Sequence, residues 1–183
     1  MLSQVGENAK NALVSVIAGA GEVTMALQTA VKDNVIAALK GVGEITVAAT
    51  EVVTDVVAGA VVAASETGKT VAVATKTIVV GAITGASEVG DSVIDATRKT
   101  VAGAISGAVE VGEDVGAVAV SAVEGAIEAA GNLGENTQNI AREAIVTAIK
   151  SADAIGTEAG QSVRKALIGA ASLPKQIVEG LVK

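Results

Sequence analysis

Glutamate recurs at a fixed interval in this chain: Glu22, Glu44, Glu66, Glu88 and Glu110 stand 22 residues apart. Two carboxylates brought close together can trade protons with a substrate or hold a cation. Along one continuous helix, neighbours in this column would lie about 33 Å apart. Only antiparallel packing could bring two of them together. The column therefore reads as a solvated acidic face, with opposite charge from Lys32, Lys76, Arg98, Arg142 and Arg164 on a nearby column. Asp95 and Lys99 have the i,i+4 spacing of a helix ion pair worth roughly a few tenths of a kcal/mol.

Other chemistry is excluded by what is missing. The 183 residues include no His, Cys, Phe, Trp or Tyr. The commonest general base, the commonest zinc ligand and any thiolate nucleophile are thereby lost. Gly68-Lys69-Thr70 matches the end of a phosphate-binding loop, but position 63, where that motif needs its first glycine, is Ala. No catalytic residue, cofactor or metal is expected, and the chain reads as no enzyme. A formal charge of −7 argues against nucleic acid, which selects basic surfaces. No signal peptide is visible at the start and no run of about 18 uninterrupted apolar residues occurs, so a cytoplasmic location is the default expectation.

The elements that carry these residues follow from an internal repeat. Gly21-Glu22-Val23 returns as Gly43-Glu44-Ile45, Ser65-Glu66-Thr67, Ser87-Glu88-Val89 and Val109-Glu110-Val111, always 22 residues on. One apolar column runs Val16, Ala38, Ala60, Ala82, Ala104, Ala126, Ala148, and its neighbour runs Ile17, Leu39, Val61, Ile83, Ile105, Ile127, Ile149. Within a unit the apolar positions step by four and three, as in Ala82, Ala86, Val89, Val93, Thr97, Thr100 and Ala104. That spacing keeps them on one helical face, whereas a strand would alternate. Each unit divides into two 11-residue halves, close to the natural helical pitch, so the stripe runs nearly straight. An all-α fold is predicted, of long amphipathic helices packed through Ala and Gly faces in a bundle or helical assembly. The expected organisation is a partial repeat over 1–14, seven repeats over 15–168, and a degenerate repeat with a short terminal helix over 169–183.

Half of the residues are hydrophobic, mainly Ala and Val, and 21 are Gly. A core without aromatics must gain its energy by bringing backbones close. Gly inside a helix costs about 1 kcal/mol relative to Ala, so its repeated use needs a reason. Close helix approach is one, and helix termination with a hairpin every 22 residues is the other. The junctions carry Ala, Ile, Val and Glu rather than Pro, Asn or Asp, and the spacing never slips. Both features favour long, continuous or rarely broken helices. The helix-packing positions are then Gly19, Gly41, Gly85, Gly107, Gly68, Gly90, Gly112, Gly134, Gly156, Ala82, Ala86, Ala104 and Ala108. Ser172-Leu173-Pro174 has the form of a helix start, with Ser as N-cap and Pro in the first turn, which predicts a short separate helix over Leu173 to Lys183.

The 11-residue amphipathic period resembles that of the synuclein, apolipoprotein and perilipin class of lipid-surface helices, as in Val61-Val62-Ala63-Ala64 and Glu88-Val89-Gly90. The Lys-Thr-Lys-Glu-Gly-Val motif of the synucleins is absent. Closer in texture, Gly81 to Gly90 and Gly103 to Gly112 resemble the repeated segments of uncharacterised bacterial Ala/Gly-rich proteins, a likeness that covers most of the chain and implies no known activity. The composition leads to the expectation of self-assembly, in which helices of several chains, or of one chain folded back, form a bundle, filament or coat. The expected partner is a second copy of the chain. The alternative is a coat on lipid or a hydrophobic granule, which the negative charge and the missing aromatics disfavour.

Overall fold

The computed structural model describes residues 2–19, 25–41 and 47–182, the side chains of residues 47–50 excepted. The fold is all-α. Among the described residues there are nine helices and no strand: α1 (Gln4–Gly19), α2 (Met25–Gly41), α3 (Val47–Glu66), α4 (Val71–Glu88), α5 (Val93–Glu110), α6 (Val115–Asn132), α7 (Thr137–Ile155), α8 (Thr157–Gly169) and α9 (Lys175–Leu181).

Helices α1, α3, α5 and α7 pack side by side in one row, and α2, α4, α6 and α8 in a second row against it. Contacts between α3 and α5 keep a constant offset, with Gly103 against Thr54 and Gly107 against Ala58, so helices within a row run parallel. Each helix therefore packs mainly on the helix two places before it and on its immediate chain neighbours. The core lies between the rows. The Ala and Ile columns fill it, with Ala82, Ala104, Ala126, Ile83 and Ile105 fully buried. Burying one such Ile contributes about 1.5–3 kcal/mol.

The helices are short, and the expectation of continuous rods is corrected by the turns. Gly68, Gly90, Gly112 and Gly134 have φ of 70°, 96°, 69° and 74°, the left-handed conformation that ends a helix. At each, the glycine N–H and the next residue's N–H both turn back onto the last turn of the preceding helix. After α4, Gly90 donates to the Ser87 carbonyl at 3.1 Å and Asp91 to the Ala86 carbonyl at 3.0 Å. The same pair of bonds recurs at Gly68, Gly112 and Gly134. Two residues later the chain supplies an N-cap for the next helix. Ser92 accepts from the Asp95 N–H, Asp114 from the Gly116 and Ala117 N–H groups, and Asn136 from the Gln138 and Asn139 N–H groups. Thr70 occupies the same place before α4 without a side-chain cap bond. Stop and start signals are thus only two residues apart, so each turn is short.

Local preference alone would not make these helices. Nine of the 18 residues of α4 are Val, Ile or Thr, which lose rotamer freedom in a helix. Burial holds it: Ile78, Val79, Ala82 and Ile83 are fully enclosed. By length and hydropathy α4 could also cross a membrane, yet 61% of it is buried inside the molecule. In α5 the core positions Thr97 and Thr100 are fully buried, and among the described residues neither hydroxyl has a partner, a destabilising pair.

The C-terminal end departs from the pattern. Gly156 joins α7 to α8 in an extended conformation, with φ 161°, rather than a left-handed turn. Pro174 rather than Ser172 is the N-cap residue of α9, which begins at Lys175, two residues later than expected, and Ser172 instead donates its hydroxyl to Glu124. Helix α9 packs on α7 and α8. Lys183 lies outside the described residues.

Gly112→Ala should destabilise the fold by about 1–2 kcal/mol, because an L side chain resists the left-handed conformation. A lowered urea midpoint with an unchanged far-UV circular dichroism spectrum would show it. An unchanged midpoint would mean that the turn does not depend on glycine.

Candidate functional site

The close contacts of this molecule lie between parallel helices of one row, and they are made by backbone. A methyl group on Gly81 of α4 would stand 2.5 Å from the Gln28 carbonyl oxygen of α2, and one on Gly125 of α6 would stand 2.7 Å from that of Lys76 on α4. Gly59 meets the Gly6 carbonyl and Gly103 the Thr54 carbonyl more tightly still. One turn further on, a methyl group on Gly85 would stand 2.8 Å from the Lys32 carbonyl oxygen and one on Gly107 2.9 Å from that of Ala58. Helices α3 to α6 thus each offer glycine to the carbonyls of the helix two before them. Such an approach admits Cα–H···O contacts and leaves no room for a side chain.

The expected packing positions divide into three groups. Gly85, Gly107, Ala82, Ala86, Ala104 and Ala108 are buried in helix contacts. Gly68, Gly90, Gly112 and Gly134 form the turns, with nothing within 4 Å of an added Cβ, and Gly156 is the α7–α8 joint with similar open space. Gly19 and Gly41, at the ends of α1 and α2, also have open space there. The tightest contacts with neighbouring backbone fall on Gly59, Gly81, Gly103 and Gly125, a column recognisable because it directly precedes the buried Ala60, Ala82, Ala104 and Ala126. The N-caps Ser92, Asp114 and Asn136 were not anticipated, although each follows a turn glycine by two residues.

Charged side chains tie neighbouring helices within each row from outside. Lys10 on α1 reaches Glu66 on α3 at 3.3 Å, and Lys32 on α2 reaches Glu88 on α4 at 3.1 Å. Lys76 on α4 meets Glu128 on α6 at 2.8 Å, and Arg98 on α5 meets Glu143 on α7 at 2.6 Å. Glu66 and Glu88 of the acidic column are thereby paired across helices. Glu22 and Glu44 lie outside the described residues. Bonds to carboxylates raise the Lys10, Lys76 and Arg98 values, from Glu7, Glu128 and Glu143 respectively. Asp95 pairs with Arg98 at 3.0 Å and Lys99 with Asp91 at 2.6 Å, which replaces the expected Asp95–Lys99 bridge. Arg142 is exposed. Gly68-Lys69-Thr70 is the α3–α4 turn. Among the described residues no three carboxylates gather into a group that could hold a metal ion.

At the α7–α8 joint Arg164 grips Asp153 with two hydrogen bonds, of 2.6 and 2.7 Å. Gly160 lies directly under the carboxylate, where a Cβ would collide with it. The Arg164 guanidinium holds Asp153 below its ordinary value of 3.8.

Gly103→Ala should cost about 1–3 kcal/mol, because two backbones must move apart. Gly131→Ala, in open helix surface, should be neutral or stabilising by up to about 1 kcal/mol. Equal urea midpoints for the two variants would remove the close-contact argument. Asp153 titrates lower in the folded chain than in the unfolded one, so its contribution is full above the ordinary carboxylate value and is lost as pH falls through the folded value. Amide exchange in α8, corrected for intrinsic rates, should therefore quicken on acidification in the native protein and show no such step in Asp153→Asn.

Comparison with models of known protein families finds no match, and no curated protein is significantly similar to this chain.

Proposed function

We propose that this chain is a non-enzymatic structural protein, a rigid helical repeat stack that works with copies of itself through small-residue packing. The observation that carries this reading is the use of glycine. Gly59, Gly81, Gly103 and Gly125 lie against neighbouring backbones, and several charged residues are engaged in inter-helix ion pairs. A sequence arranged in this way maximises contact between like helices. It provides shape and stiffness, and the lack of His and Cys fits a role without acid–base or thiol chemistry. The likeness to bacterial Ala/Gly-rich repeat proteins fits the same reading.

The exposed edge of the stack supports association between copies. Gly85 and Gly107 receive a preceding helix, whereas Gly19 and Gly41 occupy the same repeat column on α1 and α2, with nothing described within 4 Å. Among the described residues no helix packs on that side of α1 and α2, and a helix of a second copy is the occupant we propose for it. A lipid coat is disfavoured because the apolar stripe is covered by the protein's own helices. Val57, Val79, Val101 and Val123 are fully buried.

Light scattering of the lipid-free protein should show a helical, concentration-dependent oligomer that Gly19→Val together with Gly41→Val shifts toward monomer. Vesicles in a flotation assay should leave the protein behind and its circular dichroism unchanged. A strict monomer at all concentrations, or a disordered chain that gains helix only on vesicles, would overturn the proposal.

A further inference from the structure

The glycine contacts fail at one step of the first row, between α5 and α7. Gly103 and Gly125 each face a carbonyl 49 residues earlier, and Thr147 stands at the same offset from Arg98. Gly107 faces Ala58 at that offset, and Ser151 stands so to Ala102. Where α3 to α6 carry Gly59, Gly81, Gly103 and Gly125, α7 brings Thr147, and where α4 and α5 carry Gly85 and Gly107 it brings Ser151, so its backbone cannot approach α5 as closely. A groove of about 310 Å³ opens between them, lined by Thr147, Ser151, Lys150, Arg98, Lys99 and Glu143, with Thr54 and Ala102 completing its walls.

Most of the groove surface is apolar, and the polar groups it carries are mainly donors. The half-buried hydroxyls of Thr147 and Ser151 have no hydrogen-bond partner among the described residues, and the exposed Lys150 has no ion pair there. Arg98 commits Nε to Glu143 and Nη1 to Asp95, which leaves Nη2 without a described partner. Lys99 is held by Asp91. Three cations against one carboxylate line this groove, on a chain of net charge −7. Hydroxyls, an ammonium and a guanidinium on residues that line one open volume are the kinds of donor that suit a small tetrahedral oxyanion.

We propose that the α5–α7 groove binds a phosphate-type oxyanion, free or as a phosphomonoester, with Lys150 as charge partner and Thr147 and Ser151 as hydroxyl donors. The ion enters without changing the fold, because the opening is created by the side chains themselves. This inference is independent of self-association.

The test is a titration of the full chain with inorganic phosphate, followed by amide chemical shifts, against sodium chloride at equal ionic strength. Saturable shifts centred on residues 147–151 and 98–102 are expected with phosphate and not with chloride. Lys150→Gln, an exposed substitution that leaves folding intact, should weaken binding roughly tenfold, the worth of one charge-assisted hydrogen bond. Thr147→Gly together with Ser151→Gly should restore the close contact and abolish binding, with helix content retained. Glycerol phosphate in a parallel titration distinguishes an esterified from a free ion by its relative affinity. The proposal is overturned if phosphate and chloride act alike, if the shifts fall elsewhere, or if Lys150→Gln binds as the native chain does.

Discussion

The architecture depends on how near two parallel helices can come when one of them presents glycine to the other's carbonyls. In an ordinary core, large side chains set the distance and supply the buried area. Here that area is small for each residue, so the stack gains its cohesion from dispersion between closely apposed backbones and from the Ala and Val that surround them. The consequence is intolerance. A single Cβ at Gly59, Gly81, Gly103 or Gly125 has no free volume to occupy, because a carbonyl already stands there. The ends of the row obey the same rule. In α1 and α2, where no described helix packs on that face, the glycine column is taken by Ser15 and Ala37, both exposed.

Close approach requires register, and the turns supply it. Each left-handed glycine places the chain reversal at a fixed distance from the packing glycines of the helix before and after it. Because the turn is fixed by backbone bonds on its stop side and by a capping side chain on its start side, its length does not drift. The 22-residue interval is thus the length of one helix plus one four-residue turn. Ion pairs such as Lys32–Glu88 and Lys76–Glu128 add little energy at their exposure. Their geometry penalises a slipped register more than it rewards the correct one. Glu66 and Glu88 sit at the C-terminal ends of their helices, where the dipole disfavours acid, and each is answered by a lysine from the helix two places earlier.

Helical class, the apolar columns and the close-packing role of small residues were legible in the sequence because all three follow from periodicity. Helix length was not. Periodicity cannot distinguish a straight rod from a chain folded back at every unit, since the apolar spacing continues through Val89 and Val93 across the turn. The discriminating signal was the pair formed by Gly90 and Ser92, repeated as Gly112 and Asp114 and as Gly134 and Asn136. These N-caps vary in type, so no single residue forms a conserved-looking column, and the motif is visible only as a class of capping residue. The groove was hidden for a related reason. Thr147 and Ser151 look like ordinary polar variation until the offset of 49 residues shows which backbone they must face.

The α7–α8 joint illustrates how one departure propagates. Without a left-handed turn at Gly156, α8 begins after a single residue and leaves at an angle set by side chains rather than by a backbone motif. Arg164 and Asp153 therefore take over the work done elsewhere by the paired N–H bonds, and Gly160 is required so that the carboxylate can lie against the helix. A backbone turn is insensitive to pH, whereas a carboxylate–guanidinium clamp is not. The stack thus has a part whose geometry depends on ionisation, located next to α9 at the end where the regular pattern stops. At the four upstream turns the stop-side bonds join peptide groups that do not titrate, whereas this joint relies on a carboxylate.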